Sequence, residues 1–125
     1  MEINKDSDLM ALHRAIVEAK FSEQPQDKCI PYSEILANLS SKIFDNIIET
    51  LNVQNEPEQA EHWASCRYLD SDWVGYDNIK KRIKETDVWA ELSEKEKVEL
   101  INIICAPFKP NTEQVSELLM CNNET

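Results

Sequence analysis

Residues 33–51, SEILANLSSKIFDNIIETL, carry the clearest helical pattern in the chain. Apolar side chains recur there every three or four residues, which places them on one face of an α-helix: Leu36, Leu39, Ile43, Ile47 and Leu51. Ile35, Phe44 and Ile48 widen this stripe, and Ser33 is a favourable N-cap residue. So broad an apolar face predicts a central helix packed by several neighbours.

Similar periodicity predicts helices on both sides of this segment. Before it, a first helix has one apolar face, a cap at Ser7 or Asp8 and Pro25 beyond its end; the face comprises Leu9, Leu12, Ile16 and Ala19. After it, Pro57 and the acids beside it suit the first turn of a third helix, because carboxylates favour the positive N-terminal end. The inner face of that third helix would carry Ala60, Trp63, Ala64 and Arg67.

The second half of the chain predicts two further helices. Ser93 and Glu96 have the spacing of a capping box, and the apolar run over 98–105 follows them. Pro107 and Pro110 end that helix. The last helix has Asn111 or Thr112 as its cap and an inner face of Val115, Leu118 and Leu119.

These elements indicate the fold class. Strand-like alternation lasts only a few residues anywhere, and the single Gly argues against the tight turns of hairpins. A chain of 125 residues is about the size of one domain, and no repeat or low-complexity linker divides it. We therefore predict an all-α fold, with one domain over residues 1–125, an irregular bundle of about five or six helices and a frayed tail at about 120–125.

The charge balance restricts the class of partner. The chain has 24 Asp and Glu against 13 Lys and Arg, a formal net charge of -11 and a pI near 4.6. Such a protein repels nucleic acid and anionic membranes at long range and attracts basic proteins. We expect a basic protein partner, with no direct contact to nucleic acid or to a membrane.

The cysteines and the N-terminal sequence predict a compartment. The four Cys lie far apart with no CxxC pair, which is typical of reduced thiols; they are Cys29, Cys66, Cys105 and Cys121. The first ten residues, MEINKDSDLM, lack the basic and apolar regions of a signal peptide. No segment approaches about 18 uninterrupted apolar residues. These features predict a cytoplasmic protein.

Catalytic signatures are absent from the sequence: it has no P-loop, no G-x-S-x-G and no H-E-x-x-H. The best candidate is Glu58, His62 and Cys66, whose spacing of four places them on one helical face. Imidazole and thiolate could share a divalent ion there, but a zinc site needs further ligands. The alternative is a solvated His beside a buried Cys. We expect no metal, no cofactor and no enzymatic activity.

Nearby carboxylates and cations also have ordinary explanations. Acid pairs such as Asp70 with Asp72 suit solvated faces and helix N-termini. The basic run KKRIK at 80–84 is a poor nucleic-acid site in so acidic a chain. Lys80 or Lys81 would instead pair with nearby acids on the same helix, Asp77 or Glu85.

Residues 62–77, HWASCRYLDSDWVGYD, allow two interpretations. In the first, Ser71 or Asp72 caps a helix whose inner face carries Trp73, Tyr76, Ile79 and Ile83. In the second, residues 70–76 form a loop and Asp77 begins a shorter helix. The single Gly75 favours the loop, because Gly inside a helix costs about 1 kcal/mol relative to Ala.

The loop interpretation gives a candidate protein-binding surface of aromatic anchors ringed by carboxylates: Tyr68, Asp70, Asp72, Trp73, Tyr76 and Asp77. Against it, helical spacing sends Trp63, Trp73 and Tyr76 into the core. The leading hypothesis is an inhibitor of the immunity-protein or antitoxin type that covers the basic active site of a partner such as a nuclease toxin.

Two other binding functions are open. One is a nucleic-acid mimic that inhibits a DNA-binding or defence protein, with carboxylates along an extended face. The other is a helical structural subunit that associates through Ile35, Phe44 and Ile48.

Overall fold

The computed structural model describes residues 6–122 and contains six α-helices. They are α1 (Asp6–Phe21), α2 (Glu34–Val53), α3 (Pro57–Ser65), α4 (Val74–Lys84), α5 (Glu94–Cys105) and α6 (Thr112–Cys121). Short 3-10 helices at Ile30–Tyr32 and Trp89–Glu91 lie in two of the connections. The described residues form no strand, and Tyr68 and Lys109 make one isolated parallel bridge. The predicted all-α bundle is confirmed.

Side-chain caps fix several helix starts. The Ser33 hydroxyl accepts a hydrogen bond from the Leu36 amide at 3.1 Å, as predicted for α2. The predicted capping box of Ser93 and Glu96 is present at the start of α5. A second capping box begins α6, where the side chains of Asn111 and Gln114 each accept a hydrogen bond from the other residue's backbone amide. The sequence predicts a cap at Asn111 or Thr112 here, and the structure has it at Asn111.

Several helix boundaries differ from the predictions. Helix α1 already includes Ser7 and Asp8, the predicted caps, and α3 ends at Ser65, before Arg67. Helix α4 begins at Val74, later than a cap at Ser71 or Asp72 would place it and earlier than Asp77.

At the other end of the chain, α6 extends through Met120 to Cys121, into the range predicted for the tail. The Asn122 amide group donates to the Ile83 carbonyl oxygen at 2.6 Å, which ties the end of α6 to α4. Residues 123–125 of the predicted tail lie outside the described residues.

The interior consists of two apolar clusters. The first lies between α1, α2 and α3 and contains Leu9, Ile16, Ile43, Ile47, Leu51 and Ala60. The second gathers residues mainly from α4, α5 and α6, with Tyr76, Ile79, Ile83, Trp89, Ile101, Ile104 and Leu118 among its members. Helix α2 packs against α1, α3 and α5, as the broad stripe predicts.

The stripe of α2 is narrower than expected, because Ile35 is 83% exposed and Leu39 is also exposed. Phe44 is fully buried and Ile48 is half-buried. The three residues predicted for a structural-subunit interface therefore do not form one exposed surface.

Aromatic rings connect the two clusters. The Phe108 ring centroid lies 5.6 Å from that of Phe21 and 5.2 Å from that of Trp73, on the side of the second cluster. It also lies 6.4 Å from the rings of Phe44 and His13, which both pack against Trp63 at the edge of the first cluster. Edge-to-face packing of this kind adds specific geometry to the burial of apolar area. These rings connect the two halves of the bundle and are called the aromatic seam below: His13, Phe21, Phe44, Trp63, Trp73 and Phe108.

Lys20 is buried inside the fold, with only 1% of its surface exposed. Its ammonium group donates to the Ile103 carbonyl oxygen at 2.8 Å and to that of Ala106, at the C-terminal end of α5. A cation suits this negative helix end, but desolvation lowers the pKa of Lys20 to about 8. Burial also raises the pKa of the neighbouring Cys105 thiol to about 12.

None of the helices within residues 6–122 has both the length and the apolar character that crossing a membrane requires.

Candidate protein-binding site

The loop between α3 and α4, residues 66–73, is held by the segment that joins α5 to α6. The Lys109 amide donates to the Arg67 carbonyl oxygen at 2.8 Å, and the Leu69 amide donates to the Lys109 carbonyl oxygen at 3.0 Å. The buried Gln114 side chain donates from Nε2 to the Leu69 carbonyl oxygen at 2.9 Å and to the Ser71 hydroxyl at 2.8 Å. Both flanks of this loop are therefore bonded to the body of the fold.

The loop also contains its own turn. The Asp70 carboxylate accepts from the Asp72 amide at 2.9 Å, and the Asp70 carbonyl oxygen accepts from the Trp73 amide at 3.2 Å. Asp and Asn favour this local geometry because their short side chains reach the backbone two residues on. The turn leads directly into α4, so hydrogen bonds within the loop define its conformation.

Side chains alternate between inside and outside along this loop. Arg67 turns inward: its Nε donates to the Pro107 carbonyl oxygen at 2.6 Å, its Nη1 pairs with Asp45 at 2.6 Å, and its guanidinium lies 4.8 Å from the Phe44 ring centroid. Leu69 is buried in the second cluster. Between them Tyr68 is 71% exposed. The fold thus presents one large aromatic ring on a fixed backbone.

The carboxylates predicted for the site share this exposure. Asp70, Asp72 and Asp77 are all exposed, and so is Val74 at the start of α4. All three acids lie within ten residues of Tyr68 in the chain. The four predicted residues that reach solvent freely are therefore Tyr68 and the three Asp.

Tyr76 is not a surface anchor. It is 2% exposed and belongs to the second apolar cluster. Its hydroxyl donates to Glu117 at 3.1 Å, and the Lys80 ammonium lies 5.0 Å from the ring centroid. Burial, together with the bond to Glu117, raises the pKa of Tyr76 above its usual range. Helical spacing accounts for its position, since Tyr76, Ile79 and Ile83 lie on one buried face of α4.

Trp73 is half-buried, and its ring packs against Phe21 and Phe108. It is therefore a part of the aromatic packing and not a free surface anchor. The exposed residues of the predicted site are Tyr68, Asp70, Asp72 and Asp77, called the Tyr68 surface below.

The candidate metal face of α3 is solvent-exposed. The His62 Nε2 lies 3.8 Å from the Cys66 sulfur, and both side chains are exposed, as is Glu58. The expected buried Cys at this position is therefore wrong. Among residues 6–122, no three His, Cys, Asp or Glu side chains are placed to hold a metal ion together.

The other histidine is a part of the aromatic seam that sequence reasoning missed. The His13 ring lies 5.3 Å from the centroids of both Phe44 and Trp63. Burial lowers the pKa of His13, and the nearby cations Arg14 and Arg67 lower it further. The relevant signal was its position one residue after Leu12 in the stripe of α1, which alone does not distinguish a packed His from a solvated one.

Among the described residues, Lys80 and Lys81 of the basic run form ion pairs with other elements, and neither lies within ion-pair distance of Asp77 or Glu85 as predicted. Lys80 lies 2.6 Å from Glu117 of α6, and Lys81 lies 3.5 Å from Glu23 in the loop after α1. Arg82 is buried. Because α4 packs between α1 and α6, its cations meet carboxylates from those neighbours before they meet Asp77 or Glu85.

Comparison with protein-family models, curated proteins and solved structures found no match in any of the three. Evidence for a function therefore comes from the fold and the exposed side chains of this chain alone.

Proposed function

We propose that this chain is an acidic inhibitor that binds a basic protein through the Tyr68 surface and blocks the site it covers, as immunity proteins and antitoxins do. The observation that carries the proposal is the 71% exposure of Tyr68 on a loop bonded at both flanks. An aromatic side chain on a rigid backbone loses little entropy on binding, and such residues supply much of the binding energy at protein interfaces.

The three carboxylates give the surface its electrostatic role. Asp70, Asp72 and Asp77 are exposed and lie within nine residues of Tyr68 in the chain, and their carboxylates can meet Lys and Arg of a partner. A partner that binds phosphates, such as a nuclease toxin, has cations arranged to receive oxyanions. Carboxylates placed where phosphates would lie would exclude the substrate, and the net charge of -11 would accelerate the encounter at low salt.

The experiment is an affinity capture of tagged protein from its host lysate, eluted with a salt gradient and identified by mass spectrometry. Three baits are compared: the parent chain, Tyr68→Ala, and the triple variant Asp70→Asn, Asp72→Asn and Asp77→Asn. Asn keeps the acceptor that Asp70 supplies to the turn, so the triple variant removes charge with little change of shape. A basic protein held by the parent, released at lower salt from the triple variant and lost from Tyr68→Ala is the expected result.

The matched control removes three negative charges elsewhere, through Glu49→Gln, Glu56→Gln and Glu61→Gln. These residues are exposed on α2, on α3 and in the connection between them. The control should retain the partner as well as the parent does. Equal binding by parent and both site variants would overturn the assignment of the Tyr68 surface.

A second candidate function, nucleic-acid mimicry, has one observation in its favour. From residue 43 to residue 66 the chain has no Lys or Arg, and its five acids are all exposed: Asp45, Glu49, Glu56, Glu58 and Glu61. This gives α3 and the C-terminal part of α2 a mainly negative surface, in which Asp45 is paired with Arg67. Loss of a partner from the Glu-to-Gln control, with the site variants unaffected, would favour this candidate.

A further inference from the structure

A cavity of about 790 Å³ opens at the C-terminal end of α4. Its walls come from the loop after α1, from the 3-10 turn that contains Tyr32, and from α4 with the residues that follow it. The volume falls in the range of about 300–1,000 Å³ found for small-molecule sites. On α4 the cavity residues Lys81 and Arg82 follow Asp77 of the Tyr68 surface by four and five residues, about 6–8 Å along the helix axis.

The cavity has a buried cation in its wall. Arg82 is 5% exposed, and its Nη1 donates to the Glu23 carbonyl oxygen at 3.2 Å while its Nη2 donates to that of Ser22. A guanidinium has five N–H donors, so these two bonds leave three. Within residues 6–122 no carboxylate lies at ion-pair distance from Arg82. A buried charge normally has a counter-ion, and here an anion entering the cavity would supply it.

The other charges of the wall make a simple anion a poor fit. Lys28 and Lys81 add two cations, and Glu23, Glu85 and Asp87 add three carboxylates, so that the wall with Arg82 is neutral overall. Lys81 is already paired with Glu23. The exposed Glu85 and Asp87 place negative charge a few residues beyond the buried guanidinium. With Lys81 and Glu23 paired, the cations Arg82 and Lys28 and the carboxylates Glu85 and Asp87 remain, so the wall offers both positive and negative positions.

The backbone beneath these groups is fixed. The Tyr32 hydroxyl donates to the Arg82 carbonyl oxygen at 3.1 Å, and the Thr86 hydroxyl donates to the same oxygen at 2.9 Å. The half-buried Tyr32 ring gives the cavity an apolar surface beside its charges. A pre-formed site with a few convergent polar groups is typical of ligand recognition.

We propose that this cavity binds a small zwitterionic ligand of the amino-acid or short-peptide class. The ligand carboxylate accepts hydrogen bonds from Arg82, and its ammonium group lies against Glu85 and Asp87. This inference is independent of the inhibitor function.

The test is a titration of the ¹⁵N-labelled full chain followed by amide chemical shifts. The probes are the free amino acids and a set of dipeptides, with acetate, methylammonium and inorganic phosphate as single-charge controls. The expected result is saturable shifts at residues 22–32 and 81–87 from at least one zwitterion, with a Kd below about 1 mM. Acetate, methylammonium and phosphate should bind at least about tenfold more weakly.

Variants locate the two charge positions. The pair Glu85→Gln and Asp87→Asn, both exposed, should weaken the zwitterion about tenfold and leave the fold intact. The pair Glu91→Gln and Glu99→Gln, exposed acids outside the cavity wall, should leave its affinity unchanged. Arg82→Lys tests whether the Arg82 guanidinium binds the ligand carboxylate. The amide spectrum of the free variant shows whether this buried substitution preserves the fold.

Three results would overturn the proposal. The first is the absence of saturable shifts at the cavity with every zwitterion. The second is binding of acetate or phosphate as tight as that of any zwitterion, which would show an anion site. The third is an affinity that the Glu85 and Asp87 changes leave untouched.

Discussion

The indole ring of Trp73 lies against Gly75, so closely that a Cβ atom at residue 75 would overlap it. The same ring packs edge-on against Phe21 and Phe108, with centroid distances of 5.0 and 5.2 Å. Gly75 does not have a positive φ. The only Gly of the chain is therefore required for space beside an aromatic ring, and the backbone freedom that Gly allows is not used.

Gly75→Ala is expected to lower the free energy of unfolding by about 1–2 kcal/mol, because the added methyl group displaces the Trp73 ring. The gain in helix propensity from Ala, roughly 1 kcal/mol, only partly offsets this. Urea denaturation followed by Trp fluorescence measures the change. In a Trp73→Leu background the same substitution should be neutral or stabilising. A single variant as stable as the parent would contradict the packing argument.

Lys20 predicts a dependence of stability on alkaline pH. Its pKa is about 8 in the fold and 10.5 ordinarily, so the unfolded chain binds more protons between these values. Below pH 8 the folded state carries the full cost of burying the charged Lys20 ammonium group. As the pH rises from about 8 to 10.5, Lys20 loses its proton in the folded state and this cost is relieved. The free energy of unfolding of the parent, relative to Lys20→Met, should rise by up to about 1.4 kcal/mol per pH unit.

Only this difference between the two proteins is diagnostic for Lys20. Cys105 and Tyr76 have raised pKa values, which lower stability at high pH in both proteins. Because the pKa of the Cys105 thiol also depends on Lys20, the paired denaturation curves are collected in a Cys105→Ala background from neutral pH to about pH 10. Tyr76 is then the common effect, and the comparison removes it. A constant difference across the window would show that Lys20 keeps its ordinary pKa in the fold.

His13 predicts a second dependence, at acid pH. Because its pKa is lowered in the fold, the unfolded chain takes up its proton first as the pH falls below 6.5. The stability that neutral His13 contributes to the fold is therefore present near neutral pH and is lost on acidification. His13→Phe keeps an aromatic ring in the seam and removes the titration. The parent should lose stability relative to this variant between about pH 6.5 and pH 5, as thermal melts would show; parallel pH profiles would refute the idea.

Gln114 predicts how the ordering of the Tyr68 surface affects binding. Gln114→Glu keeps the acceptor that bonds the Asn111 amide but loses the Nε2 donor to Leu69 and Ser71. We expect destabilisation of about 1–3 kcal/mol and faster amide hydrogen exchange at residues 69–72.

Partner affinity should fall with that loss of order, although Gln114 is buried away from the contact. Ser116→Ala, an exposed change in the same helix, is the control and should alter neither exchange nor affinity. Unchanged exchange in Gln114→Glu would show that other bonds hold the loop.

The sequence by itself determined the helical class and the caps, because both depend on near neighbours in the chain. Ser33 and the pair Ser93 and Glu96 bond to backbone amides three residues away. The stripe at Ile43, Ile47 and Leu51 likewise follows from helix geometry alone. The exposure of Asp70 and Asp72 was also predictable from the sequence, because acidic residues in turns seldom lie in a core.

Only the tertiary structure decided which cations are buried and which aromatics remain at the surface. Lys20 bonds to a carbonyl 83 residues away, and Arg82 to one 60 residues away, so no local pattern marks either. Tyr76 and Tyr68 lie close in the chain, yet one is buried and the other exposed. Periodicity shows which side chains of α4 share a face. Which face is buried is decided by packing against α1, α5 and α6, because those contacts join residues that are distant in the sequence.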